Sequence, residues 1–402
     1  MSRRIAIIGA GASGCFASIL IRRAHPDDEV VVFEAGRNAL AKVAVTGGGR
    51  CNLTNSFEAV SSLKEVYPRG EQLMKRCLRR LDQRALMRWF EKEGVRLTVQ
   101  SDHCVFPVSQ DAMQIVRTLL NLMRREGVEL RTESRVSAIR ELEGGFSLEL
   151  AAGGCFRFDR VLLSAGGCSK KSLEALLPGD IAIEDTVPSL FTLNIGDESL
   201  RSLMGTVVDE VELSLAGTGF SSRGTLLLTD WGVSGPATLK LSSYAARHLA
   251  QCGYKASLNV NWTGAGQEQA RQLVEELRSL NSKKLVCGTH PDFLTERLFR
   301  HICKRAGIAP QRRWAELGSK GLNRLCQTLC CDTYPVTGRS RFKEEFVTCG
   351  GVSLSEINLN TLESRRHPGL FFSGEVLDLD AITGGFNLQA AWSTGFSAAE
   401  NI

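Results

Sequence analysis

Six consecutive residues, Gly9-Ala10-Gly11-Ala12-Ser13-Gly14, place three glycines in a spacing that could do chemistry on phosphate. The first glycine allows a tight turn, the second lets backbone approach a pyrophosphate, and the third lets a helix pack closely on a strand. A helix starting at this turn offers free N–H groups and a partial positive charge to an anion, with Ser13 in its first turn. Glu34 stands twenty positions after Gly14, where a carboxylate can accept from ribose hydroxyls. A second stretch, Gly47-Gly48-Gly49, runs into Arg50, Cys51 and Asn52. Three successive glycines strip a loop of side chains, so it can lie flat on a ligand. Arg50 suits a phosphate or a carbonyl-rich ring. Far along the chain, Gly374-Glu375 is followed by Gly384-Gly385-Phe386-Asn387 and a helical pattern.

The elements around these residues are legible. Ile5–Ile8 is an apolar run ending on the glycine turn, Cys15–Arg23 has helical spacing, and Val30–Phe33 is a second apolar run ending on Glu34. Strand, glycine turn, helix, strand and acid follow in the order of a dinucleotide fold. Val136–Leu142, Phe146–Leu150 and Cys155–Phe158, parted by glycine pairs, predict a β-meander. Arg160–Leu163 then reads as a strand that rejoins the first sheet and brings Ala165 and Gly166 close to the ligand. From Pro188 short β-like runs alternate with turns, and residues 264–330 read as helical. Leu370–Phe372 is the last strand, and a final helix spans about Leu388–Glu400. The expected domains are 1–187 with 350–402, then 188–263 with 331–349, and a helical subdomain at 264–330. Gly264-Ala265-Gly266 after Leu258–Trp262 imitates a second nucleotide turn, but Gln269 replaces the third glycine and no strand ending in an acid follows.

Composition bounds the class. A chain of 402 residues can bury a large core in two or three domains. No apolar run approaches the roughly 20 residues of a membrane span, and Met1–Ile8 does not have the layout of a secretory signal. Thirteen scattered cysteines with no such signal predict reduced thiols and a cytoplasmic protein. The formal charge is +5, with arginines crowded between Arg69 and Arg88. Leu73, Cys77, Leu78, Leu81, Leu86 and Phe90 recur there near helical spacing, so this run reads as an amphipathic helix pair with a solvated basic face, and nucleic acid is not expected as a partner.

One nucleotide fold, two glycine-rich loops and a distant Gly-Glu strand end suggest FAD, which must also be held along its ribityl chain and flavin ring. The combination resembles the HI0933-like flavoprotein family. The resemblance rests on Gly9–Gly14, on Lys42 upstream of Gly47-Gly48-Gly49-Arg50-Cys51-Asn52-Leu53-Thr54-Asn55, and on Leu228-Thr229-Asp230-Trp231-Gly232-Val233-Ser234-Gly235-Pro236-Ala237. It rests also on Gly374-Glu375-Val376-Leu377-Asp378 and Gly384-Gly385-Phe386-Asn387-Leu388-Gln389. It implies an α/β chain with a Rossmann-like FAD-binding domain of the two-dinucleotide-binding-domain type, an inserted β-barrel-like domain and a helical subdomain. Members are described as FAD-dependent oxidoreductases, among them aminoacetone oxidases and reductases of unsaturated steroid ketones. The implied FAD contacts are Gly9, Gly11, Gly14, Glu34, Lys42, Gly48, Arg50, Asn52, Gly374, Glu375 and Asn387; Ser13, Gly47, Gly49, Cys51, Val136, Ala165, Gly166, Gly384, Gly385 and Phe386 complete the expected cofactor surface. The family's Gly-Arg-Val-Phe-Pro block stands here as His103-Cys104-Val105-Phe106-Pro107.

The expected activity is hydride transfer between flavin and a small-molecule substrate, with NAD(P)H as reductant or dioxygen as oxidant. The competing reading is a non-catalytic flavin-binding protein, with RNA on the Arg69–Arg88 face. Cys51, His103, Asp230 and Tyr334 are proton-donor candidates by residue type alone, with a satisfied structural role the favoured reading of each; for Cys51 beside Arg50, a lowered pKa and packing against the cofactor stand as equal readings.

Overall fold

The structure is a computed structural model that describes residues 2–340 and 347–402. It divides into two compact units, Met1–Pro188 with Val347–Ile402, and Ser189–Phe346.

The first unit is built on a five-stranded parallel sheet, in the order Leu370–Phe372, Arg160–Leu163, Arg4–Ile8, Glu29–Phe33, Glu129–Arg131. Its inner strands are apolar runs because parallel sheets are covered on both faces, whereas the edge strand Glu129–Arg131 is polar and not buried. Ile5, Ile7, Val31, Val32, Leu162 and Phe372 have no exposed surface, and full burial of such side chains stabilises by about 1.5–3 kcal/mol each. Arg160–Leu163 does rejoin the first sheet, in register Ile5 to Arg160 through Ile8 to Leu163. The meander is also present, with Gly145–Leu150 between Val136–Leu142 and Cys155–Phe158. The helix Ala12–Ala24 follows the glycine turn, and the helix Phe386–Ala399 packs beside it, where a Cβ on Gly395 would stand 2.8 Å from the Ser13 carbonyl. That final helix begins two residues earlier than its periodicity predicts.

The second unit contains a closed antiparallel barrel of six strands, ordered Leu193–Ile195, Gly232–Ser234, Ser221–Leu228, Val207–Leu215, Ala256–Asn261, Asp332–Arg339. Sequence reading does not name Gly232–Ser234 or Asp332–Arg339 as strands. The first is three residues long, and the second carries Pro335, Thr337 and Gly338. The strand Ala256–Asn261 belongs to this barrel, so the imitation glycine turn at Gly264 is a barrel-to-helix junction. The helices Gln267–Leu280, Glu296–Arg305 and Ser319–Cys330 share the barrel's core, with Val274, Phe299 and Leu329 buried in one cluster with Trp262 and Tyr334. Among the described residues no helix is long and apolar enough to cross a membrane.

Candidate cofactor site

The chain leaves the strand Arg4–Ile8 through Gly9, with φ +106°. A Cβ there would lie 2.4 Å from the Ser164 carbonyl oxygen, so the turn is pressed onto the end of the neighbouring strand. Gly14 is equally constrained by packing, since its Cβ would lie 2.1 Å from the Gly9 oxygen. Gly11 differs: an added Cβ meets no heavy atom of the described residues within 4 Å. Packing within the protein therefore does not explain glycine at this position, whereas close approach of a ligand does. Gly11 is the N-cap of the helix Ala12–Ala24, which has no side-chain cap and no acid in its first turn. Its first N–H groups are available to an anion, and the helix dipole favours one.

Glu34 is fixed beside this turn. Its Oε2 accepts from the Ala10 N–H at 3.0 Å and its Oε1 from the Gly36 N–H at 2.7 Å. Each carboxylate oxygen retains acceptor capacity for a hydroxyl. The Ser134 N–H donates to the Glu34 carbonyl, and the Glu133 N–H to that of Gly36, so the segment entering Val136 runs along the acid. Val136 itself is buried and pairs with Leu150.

The helix beginning at Ala41 breaks at Thr46, whose ψ is 144°. Gly47, Gly48 and Gly49 then take φ values of +60°, +68° and +81°. Added Cβ atoms on Gly48 and Gly49 would meet nothing within 4 Å among the described residues, so this loop presents bare backbone as its composition implies. Arg50 is exposed and lies 4.4 Å from the Phe106 ring centroid, and its Nε donates to the Gly47 carbonyl at 3.1 Å. Lys42 Nζ bonds Glu375 Oε2 at 2.9 Å, and the Thr348 N–H donates to Glu375 Oε1 at 2.8 Å. A Cβ on Gly167 would lie 2.8 Å from that same Oε1. Glu375 thus ties the Lys42 loop, the strand end at Ala165-Gly166-Gly167 and its own Gly374 turn to one place.

The C-terminal loop closes on the triple-glycine segment. In the amide orientation that satisfies both its groups, Asn52 donates to the Thr54 carbonyl at 3.0 Å and accepts from the Gly385 N–H at 3.2 Å. Asn55 Nδ2 donates to the Gly384 carbonyl at 3.0 Å. The helix Phe386–Ala399 starts at Gly385 without a side-chain cap, a second helix N-terminus in the same unit.

Some expected contacts point elsewhere. The Ser13 hydroxyl donates to that of Ser373 at 2.7 Å and is buried. Asn387 is engaged with its own loop, accepting from the Ala381 N–H and donating to the Ala381 carbonyl, both at 2.9 Å. The Phe386 ring packs edge-on to Phe57 and Tyr67. These side chains shape the loops that would hold a ligand. Of the two readings of Cys51, the lowered pKa is not found: the thiol is fully buried, as a packing role requires, and burial pushes it up to about 12. Tyr334 is also unsuited to proton donation, being buried in the second unit with its hydroxyl donating to Asp332 at 2.5 Å and its pKa raised by burial and by that carboxylate. His103 is part-exposed, 3.3 Å from the Ser56 hydroxyl, and Asp230 is exposed in the second unit. Sequence reasoning misses Thr348 as a partner of Glu375, and Leu40, whose left-handed turn (φ +59°) donates to the Ala10 carbonyl at 2.7 Å. Neither carries a spacing signal, because both act through backbone.

The residues present fit FAD: two uncapped helix N-termini, an acid beside the first, and a bare glycine loop joined to both ends of the chain. Fold and site define a Rossmann-type FAD-binding protein with a closed six-stranded barrel. The chain belongs to the HI0933-like family, whose model, described as HI0933-like protein Rossmann domain, matches residues 3–401. It is similar to the 3-dehydro-bile acid delta(4,6)-reductase of Clostridium scindens, 28% identical over 98% of each chain. It is similar also to the ribosomal RNA dihydrouridine synthase of Escherichia coli, 30% identical over 98% of this chain and 97% of the other. A solved quinol-fumarate reductase with menaquinol molecules aligns with 100% of this chain and 71% of its own at 14% identity and a TM-score of 0.49.

Proposed function

We infer that this FAD-dependent oxidoreductase reduces a carbon–carbon double bond conjugated to a carbonyl, with NAD(P)H as its reductant. The observation that supports this most is the pair of full-length relatives just described. One name is that of a delta(4,6)-reductase of a 3-dehydro-bile acid and the other that of a dihydrouridine synthase, and we read both as addition of two hydrogens to a carbon–carbon double bond conjugated to a carbonyl. Bound FAD supplies hydride chemistry at its N5, which the protein orients and tunes. The chain's own contribution is electrostatic. As hydride adds at the carbon β to the carbonyl, the π electrons move to the carbonyl oxygen, and a proton then reaches the α carbon. Arg50, exposed on the bare glycine loop, is the cation that can meet the oxygen as it gains charge. The uncapped N-terminus of the helix Phe386–Ala399 favours negative charge in the same way.

Anaerobic mixing of the FAD-loaded protein with NADH and with NADPH tests this. One of the two is expected to bleach the flavin on a catalytic timescale, and a cyclic enone is then expected to restore its absorbance with uptake of two hydrogens. Reoxidation by dioxygen alone, with the enone inert, would replace the reductase reading by an oxidase.

A further inference from the structure

Arg50 is the exposed cation of the bare glycine loop, and the groups that hold it are all neutral. Its Nε donates to the Gly47 carbonyl at 3.1 Å, and its guanidinium lies 4.4 Å from the centroid of the Phe106 ring. Its Nη1 donates to Gln110 Oε1 at 3.5 Å, and Gln100 Nε2 donates to that same oxygen at 3.5 Å. The other end of the Gln110 amide is also fixed, with Nε2 donating to the Pro107 carbonyl at 3.0 Å. All of these residues belong to the first unit, and the strand Cys104–Pro107 with the turn after it supplies both Phe106 and Gln110.

Other cations at the cofactor loops are paired with acids, Lys42 with Glu375 and Arg69 with Asp380. Arg50 has no carboxylate partner among the described residues, although acids stand close by in the chain. Asp111 directly follows Gln110, but its Oδ1 accepts from the Met113 N–H and its Oδ2 from Arg117 Nη2, both at 2.8 Å. Asp102 accepts from the Cys104 N–H at 3.1 Å. Gln110 itself takes a φ of +54°, a left-handed conformation that is unfavourable for a non-glycine residue and is kept where the surroundings impose it. A carboxylate at position 110 would grip a guanidinium more strongly than an amide does, because such pairs are charge-assisted. It would also cancel the charge. The amide holds more weakly and leaves the charge whole.

We propose that Gln110 is a positioning residue for the reduction, holding Arg50 against Phe106 through a neutral contact so that its full charge faces the substrate oxygen. This rests on the reductase reading, in which that oxygen gains negative charge as hydride adds at the β carbon. A cation already fixed at the oxygen needs no reorientation during the step. Its attraction is largest once hydride has begun to move, so Gln110 acts on the rate of transfer more than on substrate affinity.

The test compares FAD-loaded wild type with Gln110→Glu, which keeps the length and the grip but cancels the charge. Flavin reoxidation by a saturating cyclic enone is expected to fall by roughly tenfold to a hundredfold. The half-saturating enone concentration, bleaching by NAD(P)H, flavin content and melting temperature are expected to stay near wild type. In an Arg50→Met background, Gln110→Glu is expected to slow reoxidation no further, since its effect runs through Arg50. A second readout needs no turnover. The probe is 4-nitrophenol, whose anion places a charged oxygen where the substrate's would be. Bound to wild type, it is expected to ionise at a pH about one unit or more below that on Gln110→Glu. A wild-type reoxidation rate in Gln110→Glu, or an equal loss in the Arg50→Met background, overturns the proposal. So does loss of flavin from Gln110→Glu, which would assign the pair to the cofactor. Failure of the wild type to use any enone removes the reductase reading instead, and the nitrophenol titration then decides by itself whether Gln110 keeps the charge of Arg50 available.

Discussion

Gly11→Ala separates a ligand cradle from a packing constraint within a single turn. Gly9 and Gly14 each have backbone atoms where a Cβ would go, whereas Gly11 has none within 4 Å and an ordinary φ of −86°. Alanine at an N-cap is less favourable than glycine by several tenths of a kcal/mol. The lost freedom of the unfolded chain returns about 0.4–1 kcal/mol. The two terms nearly cancel, so the apo protein should melt within a few degrees of wild type. Cofactor binding should not survive as well, because the methyl takes the position a pyrophosphate oxygen approaches. A tenfold weaker FAD affinity is the least expected, about 1.4 kcal/mol. The assay is a pair of thermal melts with and without added FAD, together with flavin absorbance after desalting. Ligand at a hundredfold excess over its Kd stabilises by about 2.7 kcal/mol, so wild type should shift upward and Gly11→Ala should shift little. Stoichiometric FAD in the variant would refute the reading of this turn as the pyrophosphate cradle. A large apo destabilisation would refute the packing distinction, and Gly14→Ala, with its 2.1 Å clash, should show what such destabilisation looks like.

Three further outcomes are expected. Asp380 is completely buried and paired with Arg69, so Asp380→Ala should destabilise the first unit by about 3–5 kcal/mol, seen as an earlier denaturant midpoint, and should release flavin because the pair anchors the loop before Gly384. Burial alone would lower the pKa of His367, but its hydrogen bonds to Glu141 (2.6 Å) and Asp180 (2.8 Å) outweigh that and raise it. Its stabilising contribution is therefore full below the ordinary value of 6.5 and is lost as pH rises through the raised pKa, so a pH series of melts should fall across that window in wild type and flatten in His367→Gln. Iodoacetamide at neutral pH should leave Cys51 unmodified in the native protein while alkylating the exposed Cys155, Cys252 and Cys331, as peptide mapping can read.

The nucleotide half of the site is legible because its rules are local. Turn, helix start and acid are read from residue type and spacing; Gly9 and Gly14 are pressed against backbone, and Glu34 stands beside the turn with its Oε2 accepting from the Ala10 N–H. That distant segments share one cofactor is suggested by the glycine loops and the Gly-Glu strand end, but the particular joints are not legible, since nothing in the composition of Lys42 or Glu375 says that they pair across the chain. Side-chain direction was the main loss. Ser13 and Asn387 have the right chemistry for a ligand but direct it to Ser373 and Ala381, and burial decides between the two readings of Cys51 in favour of packing. The barrel was only partly visible, because Gly232–Ser234 is too short for an alternation signal. The basic run shows the opposite limit: periodicity gave its helices correctly, yet the surface cleft beside the helix Glu71–Arg80 is also lined by Asn360 and Ser397, far away in sequence.

The central sheet is assembled from strands at Arg4–Ile8 and Leu370–Phe372, with the helix Phe386–Ala399 packed on the first helix of the chain. This has a consequence for the order of events during synthesis. At roughly 5–20 residues per second, the first glycine turn leaves the ribosome about twenty to seventy seconds before its C-terminal partners. During that interval the strand Arg160–Leu163 has an open edge where Leu370–Phe372 belongs, and the second unit can emerge whole. Flavin capture is then among the last steps of maturation, so a limited supply of FAD would act on chains already completed and would be felt as a change in their lifetime in the cell.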